Sequence, residues 1–228
     1  MAHIIMIGDC TLATDYLPKR LRNETLLQER LRQLYPHDAV AVTNEGLEGE
    51  TVAQFLKRYE RTFARNAPPD YIIIRYGVND RKAYGVDGFR ARLEELYARL
   101  RHDFPRARLV LETGIYVDYP AHYEFDRNAV LQPIYDVIRE LARTQGDALV
   151  DIYERMRRET EQGNWDLRVR GYGVVDDEIP IYNASLDHLH VGDVRWWTNI
   201  HPNPEGIRVI ADEEARVFQA HWPTSLAV

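Results

Sequence analysis

The stretch Ile4-Ile5-Met6-Ile7-Gly8-Asp9-Cys10 decides the fold. Four apolar residues run without alternation into a glycine, an acid and the only cysteine of the chain. A strand with one wet face alternates apolar and polar side chains. An unbroken apolar run fits a strand covered on both faces, as in a parallel sheet. Gly8 has the backbone freedom that a sharp exit from such a strand needs. Cys10 then falls just past the strand's carboxyl end, where open α/β sheets carry their ligand sites. On these residues alone, a strand, a turn and a small buried thiol are a sufficient account, since free cysteine is among the most buried residue types.

Outward from that run, the same kind of segment recurs. Ala39-Val40-Ala41-Val42 is a second short strand and Tyr71-Ile72-Ile73-Ile74 a third. Arg108-Leu109-Val110-Leu111 is a fourth and Ala148-Leu149-Val150-Asp151 a fifth. Between them lie stretches of helical spacing: Leu27, Leu31 and Leu34; then Val52, Phe55, Leu56, Tyr59 and Phe63; then Phe89, Leu93, Leu96, Tyr97, Leu100 and Phe104. A further helix runs through Ile134, Val137, Ile138 and Leu141, with Pro133 near its start or kinking it. The last helix has Asn203 as its N-cap and Pro204 at its first position, with Ile207, Ile210, Ala211 and Phe218 inward. Strands alternating with helices specify a three-layer α/β/α sandwich around a five-stranded parallel sheet. The expected order is flavodoxin-like, 2-1-3-4-5, which makes the ends of strands one and three neighbours at the switch point.

With 228 residues, 45% hydrophobic and 29% charged, the chain is expected to fold as one domain over 1–228. A long segment at about 163–200 breaks the periodicity but is rich in aromatic residues. A lone cysteine forms no internal disulfide, and the net charge of -7 argues against a nucleic-acid partner. No signal-peptide pattern or membrane-length apolar run occurs, so a cytoplasmic location without membrane attachment is expected.

Chemistry-bearing residues gather at the strand ends. Gly8-Asp9-Cys10 follows strand one and Asn44-x-Gly46-x-x-Gly49-x-Thr51 follows strand two. Gly77-Val78-Asn79-Asp80 follows strand three, and His201-Pro202-Asn203 precedes the last helix. Each alone is ordinary turn chemistry. In this order the four blocks resemble those of the GDSL-type, or SGNH, hydrolases across nearly the whole chain. The resemblance implies a three-layer α/β/α fold and acyl-ester hydrolysis without a cofactor. It implies Cys10 at the nucleophile position, His201 as general base, and an oxyanion hole formed by the Cys10 and Gly49 N–H groups and the Asn79 side chain. Asp9 and Asp80 would brace the loops.

Two positions depart from that pattern. Cysteine replaces serine at position 10, and Thr198 stands where the triad acid is expected, three residues before His201. The two changes are compatible. A thiol of ordinary pKa about 8.5 lies only about two units above histidine, a gap of about 2.7 kcal/mol, so the base needs less help than in a serine triad. Thr198 through its backbone carbonyl, Asp193 or Asp187 would orient the imidazole. Trp196 and Trp197 would either form a substrate wall or anchor the aromatic segment. His188, His190, Asp193 and His201 match no strong zinc spacing, and no metal is assigned.

The expected substrate is a small-molecule or carbohydrate-linked acyl ester. An acyltransferase that uses the same thioester, and an inactive relative that binds a carbohydrate or acyl ligand in the same cleft, are the other readings the motifs allow.

Overall fold

The structure, a computed structural model, describes residues 1–15, 17–116, 127–163, 201–202 and 204–227. Five parallel strands form one sheet: β1 (Ala2–Gly8), β2 (Val40–Asn44), β3 (Tyr71–Arg75), β4 (Arg108–Glu112) and β5 (Ala148–Val150). Their order is β2-β1-β3-β4-β5, as expected. All seven residues of β1 and all five of β3 are buried, so the unbroken apolar runs have both faces covered. The register pairs Ile4 with Tyr71 and Gly8 with Arg75, so these two central strands end side by side.

The helices are α1 (Cys10–Ala13), α2 (Asn23–Leu34), α3 (Val52–Ala64), α4 (Val78–Asp103), α5 (Arg127–Gln145), α6 (Ile152–Glu161) and α7 (Pro204–His221). Pro133 lies inside α5. Pro204 opens α7 as expected, whereas the Asn203 cap lies outside the described residues. Ile207, Ile210, Ala211 and Phe218 are fully buried on the face of α7 that the spacing predicted. Leu34 is a correction. It closes α2 and is exposed, while Leu27 and Leu31 carry that helix's buried face. Strand two also starts one residue later than read and runs through Asn44, which brings the asparagine of its motif to the strand end. Among the described residues no helix is long and apolar enough to cross a membrane.

Candidate active site

At the exit of β1 the sheet turns directly into α1. A Cβ on Gly8 would lie 2.5 Å from the Arg75 carbonyl and 2.6 Å from Leu12 Cδ2, so the requirement for glycine is close approach between β1, β3 and α1, not an unusual φ. The Asp9 N–H donates to the same Arg75 carbonyl at 3.1 Å. Asp9 caps α1: its Oδ1 accepts from the Thr11 N–H at 2.9 Å and the Thr11 hydroxyl at 2.8 Å. Asp9 Oδ2 is buried without a hydrogen-bond partner. Burial therefore pushes the Asp9 carboxyl up to about 6, against the pull of the two Thr11 bonds.

The β2–α3 loop is laced onto α1. The Asn44 amide donates to the Leu12 carbonyl at 2.8 Å, its Oδ1 accepts from Gly46 N–H at 2.9 Å, and Leu47 N–H donates to the Gly8 carbonyl at 3.0 Å. Gly49, with φ +69°, then turns the chain into α3 through a left-handed conformation that a Cβ would strain. Thr51 and Gln54 form a capping box at the start of that helix. Behind the loop, the buried Glu50 carboxylate accepts from Arg58 Nε and Nη2, at 2.5 and 2.7 Å, and from the Tyr76 hydroxyl at 2.8 Å. Asn79 stands in the first turn of α4 and donates through Nδ2 to the Glu50 carbonyl at 3.1 Å. Asp80 accepts the Val52 N–H at 3.0 Å, which ties the start of α4 to the start of α3. Its Oδ2 is a second buried orphan, and burial pushes this carboxyl up to about 7.

These loops meet at the Cys10 sulfur. The Gly49 N–H, the Asn79 side-chain amide and the N–H of Cys10 itself lie near enough to favour its ionised form, against the burial that opposes it. Donors fixed around one point in a dry setting can stabilise negative charge that develops there. The thiol is only 7% exposed. Its burial and then the Asp9 charge push it up to about 12, opposite to the lowering expected of a cysteine at a helix start. The gap to an ordinary histidine widens to about 5.5 units, about 7.5 kcal/mol, so the resting sulfur is a neutral thiol.

His201 is half-buried and lies three residues before α7 begins. Thr198, Asp193, Asp187, His188, His190, Trp196 and Trp197 lie outside the described residues. Among the described residues no group of His, Cys, Asp and Glu is arranged to hold a metal ion. A cleft of about 490 Å³ opens from Gly49 and Asn79 along Thr51, Gln54, Lys82 and Tyr84. Glu50 and Arg58 were missed by the sequence reading, although Glu50 stands inside the quoted motif.

The profile of the GDSL-like Lipase/Acylhydrolase family matches residues 7–209. The chain belongs to that family. It is accordingly an ester-hydrolysing enzyme of the GDSL type. No curated protein matches it. Among solved structures it is similar to LAE5, an alpha/beta hydrolase enzyme from the metagenome of Lake Arreo, Spain. That match has 20% identity over 95% of this chain and 94% of that one, with a TM-score of 0.67. It is also similar to Axe2, an acetylxylan esterase from Geobacillus stearothermophilus, at 19% identity, 95% and 93% coverage and TM-score 0.66. A lipase/acylhydrolase from Enterococcus faecalis matches at 18% identity, 97% and 97% coverage and TM-score 0.67. At these identities the likeness establishes the shared fold of this GDSL enzyme and no more.

Proposed function

We propose that this GDSL-type enzyme hydrolyses acyl esters through Cys10, with His201 as base and the Cys10, Gly49 and Asn79 donors as its oxyanion hole. The observation that carries the reading is that the Gly49 N–H and the Asn79 amide, from two different loops, both favour negative charge at the Cys10 sulfur. Because the resting thiol is neutral, proton transfer accompanies attack. As Sγ bonds to the acyl carbonyl carbon, His201 takes the thiol proton and the carbonyl oxygen becomes an oxyanion. The C–O bond to the alcohol then breaks and His201 returns the proton to the leaving oxygen. Water, deprotonated by His201, cleaves the thioester and restores the thiol. The substrate is a small-molecule or carbohydrate-linked ester whose acyl or alcohol part lies in the cleft beside Lys82 and Tyr84. The acetylxylan esterase named above, a protein of the same fold, supports a carbohydrate-linked acyl ester as one such substrate.

The test is incubation with 4-nitrophenyl acetate followed by intact and peptide mass spectrometry. An acetyl adduct on Cys10 that forms and turns over in water, and is lost in Cys10→Ala, is the expected result. An adduct released only when an amine or alcohol is added would make the protein an acyltransferase. No adduct, together with turnover that survives Cys10→Ala, would remove Cys10 from the mechanism. No adduct and no turnover would leave a ligand-binding role for the cleft.

A further inference from the structure

The reaction scheme leaves unused the charge buried beneath the site. Arg75, the last residue of β3, is wholly buried, as are Glu112 on β4 and Glu214 on α7. The guanidinium donates through Nε to Glu112 Oε2 at 2.8 Å and through Nη2 to Glu214 Oε1 at 2.8 Å and Asn23 Oδ1 at 3.1 Å. Its Nη1 donates to the carbonyl of Thr11, in the helix that begins with Cys10, at 3.1 Å. The Asn23 amide closes the ring on Glu214 Oε2 at 2.7 Å. One guanidinium thus holds β4, α7, α2 and α1.

One atom is left over. Glu112 Oε1 receives no donor, while Glu112 Oε2 and Glu214 Oε1 both lie against Arg75 Nη2, at 2.7 and 2.8 Å. Two carboxylates against one guanidinium would also leave a net charge in a dry interior. A single proton held between Glu112 and Glu214 removes both difficulties. Burial raises both carboxyls, Glu214 the further because Glu112 raises it again. Asp9 on the β1–α1 turn and Tyr135 on α5 are the other titratable groups that sense Arg75.

We propose that the Arg75–Glu112–Glu214–Asn23 cluster is the positioning device of the site, tying α7, which His201 leads into, to the backbone of α1, which Cys10 begins. The proposal rests on the Cys10–His201 reading above. Its residues touch no reacting atom; they act through the two helices they join.

The hydrogen-bond pattern makes the proposal testable at constant charge. In Glu112→Gln the amide N–H replaces the shared proton, its oxygen still accepts from Arg75, and every partner is kept. In Glu214→Gln the new N–H must face either the Asn23 amide or Arg75, both donors. Asn23 cannot flip to accept it, because its Oδ1 already accepts from Arg75. The full chain is assayed with 4-nitrophenyl acetate and by hydrogen exchange of residues 10–14. Glu112→Gln is expected within threefold of wild type in both. Glu214→Gln is expected to lose at least tenfold in kcat with KM within twofold, and to exchange at least fivefold faster in residues 10–14. Asn23→Asp in that background restores an acceptor and brings both values back to within threefold of wild type.

Equal behaviour of the two glutamine variants overturns the proposal. If wild type turns over no ester, the functional reading fails, and the exchange contrast alone decides the cluster. If Glu214→Gln does not fold, Arg75→Lys takes its place. A lysine serves the carboxylates but not also the Thr11 carbonyl, so faster exchange in residues 10–14 supports the proposal and wild-type exchange sinks it.

Discussion

Asp9 and Asp80 brace the loops around the Cys10 sulfur, while Glu112 and Glu214 lie beneath it; all four are buried, and they are treated in opposite ways. The lower pair shares the Arg75 guanidinium, and Glu214 also accepts from the Asn23 amide, so that their charge is paired although Glu112 Oε1 receives no donor. The upper pair has no cation in hydrogen-bond contact, and each residue keeps one orphaned oxygen. Buried ionisable groups that are paired hold elements together. Buried groups left partly unsatisfied store a cost, and they gather at functional sites. In this enzyme the carboxyls without a cation border the thiol, and the ion-paired network supports it.

The largest effect that would break this contrast comes from removing the lower cation. Arg75→Met leaves buried carboxyls without their partner and is expected to destabilise the fold by about 3–5 kcal/mol in a urea titration. A loss below about 1 kcal/mol would mean that the network is not the support described. Above it, Asn79→Ala removes one of the three donors of the proposed oxyanion hole. It is expected to lower kcat by about 10²–10³, about 2.7–4 kcal/mol, while the melting temperature moves little.

The orphaned upper pair predicts a pH dependence whose sign is opposite to that of ordinary ion-paired carboxylates. Asp9 rises from 3.8 to about 6 and Asp80 from 3.8 to about 7 on folding, so the native state holds these protons more tightly than the unfolded chain. Their burial costs nothing below about pH 3, and the full cost is present above about pH 7 for Asp9 and about pH 8 for Asp80. It amounts to about 3 kcal/mol for Asp9 alone at 1.36 kcal/mol per unit. Asp9→Asn is therefore expected to melt above wild type at pH 7.5 and to match it near pH 3. A gap that does not change with pH would show that the Asp9 charge is not strained. The smallest effect is Thr51→Ala, which opens the capping box of α3 for about 1 kcal/mol by thermal melting.

Most of the sheet was legible because β1 and β3 are covered on both faces, which writes itself as unbroken apolar runs. The strand ends then gave the positions of Cys10, Gly49 and Asn79. Arg75 and Glu112 were not legible, because a charged residue at the end of a strand reads as the point where the strand meets water. Their partner Glu214 is 139 residues from Arg75 in sequence, and no local period connects them. A trace was present in α7 nonetheless. Glu214 occupies the slot between Ala211 and Phe218 in a stripe that is otherwise apolar, and a lone acid in a buried stripe implies a buried cation elsewhere. The raised thiol was beyond sequence for a similar reason, since it depends on how completely α1 and its neighbours exclude water.

The break in α4 at Gly85 separates two kinds of sequence space. Its first turns, Val78–Tyr84, line the cleft, and the stretch from Phe89 to Leu100 packs the core. An engineer can rewrite Lys82 and Tyr84 as a library without disturbing a single buried layer, and new ester selectivities can be screened on an unchanged scaffold.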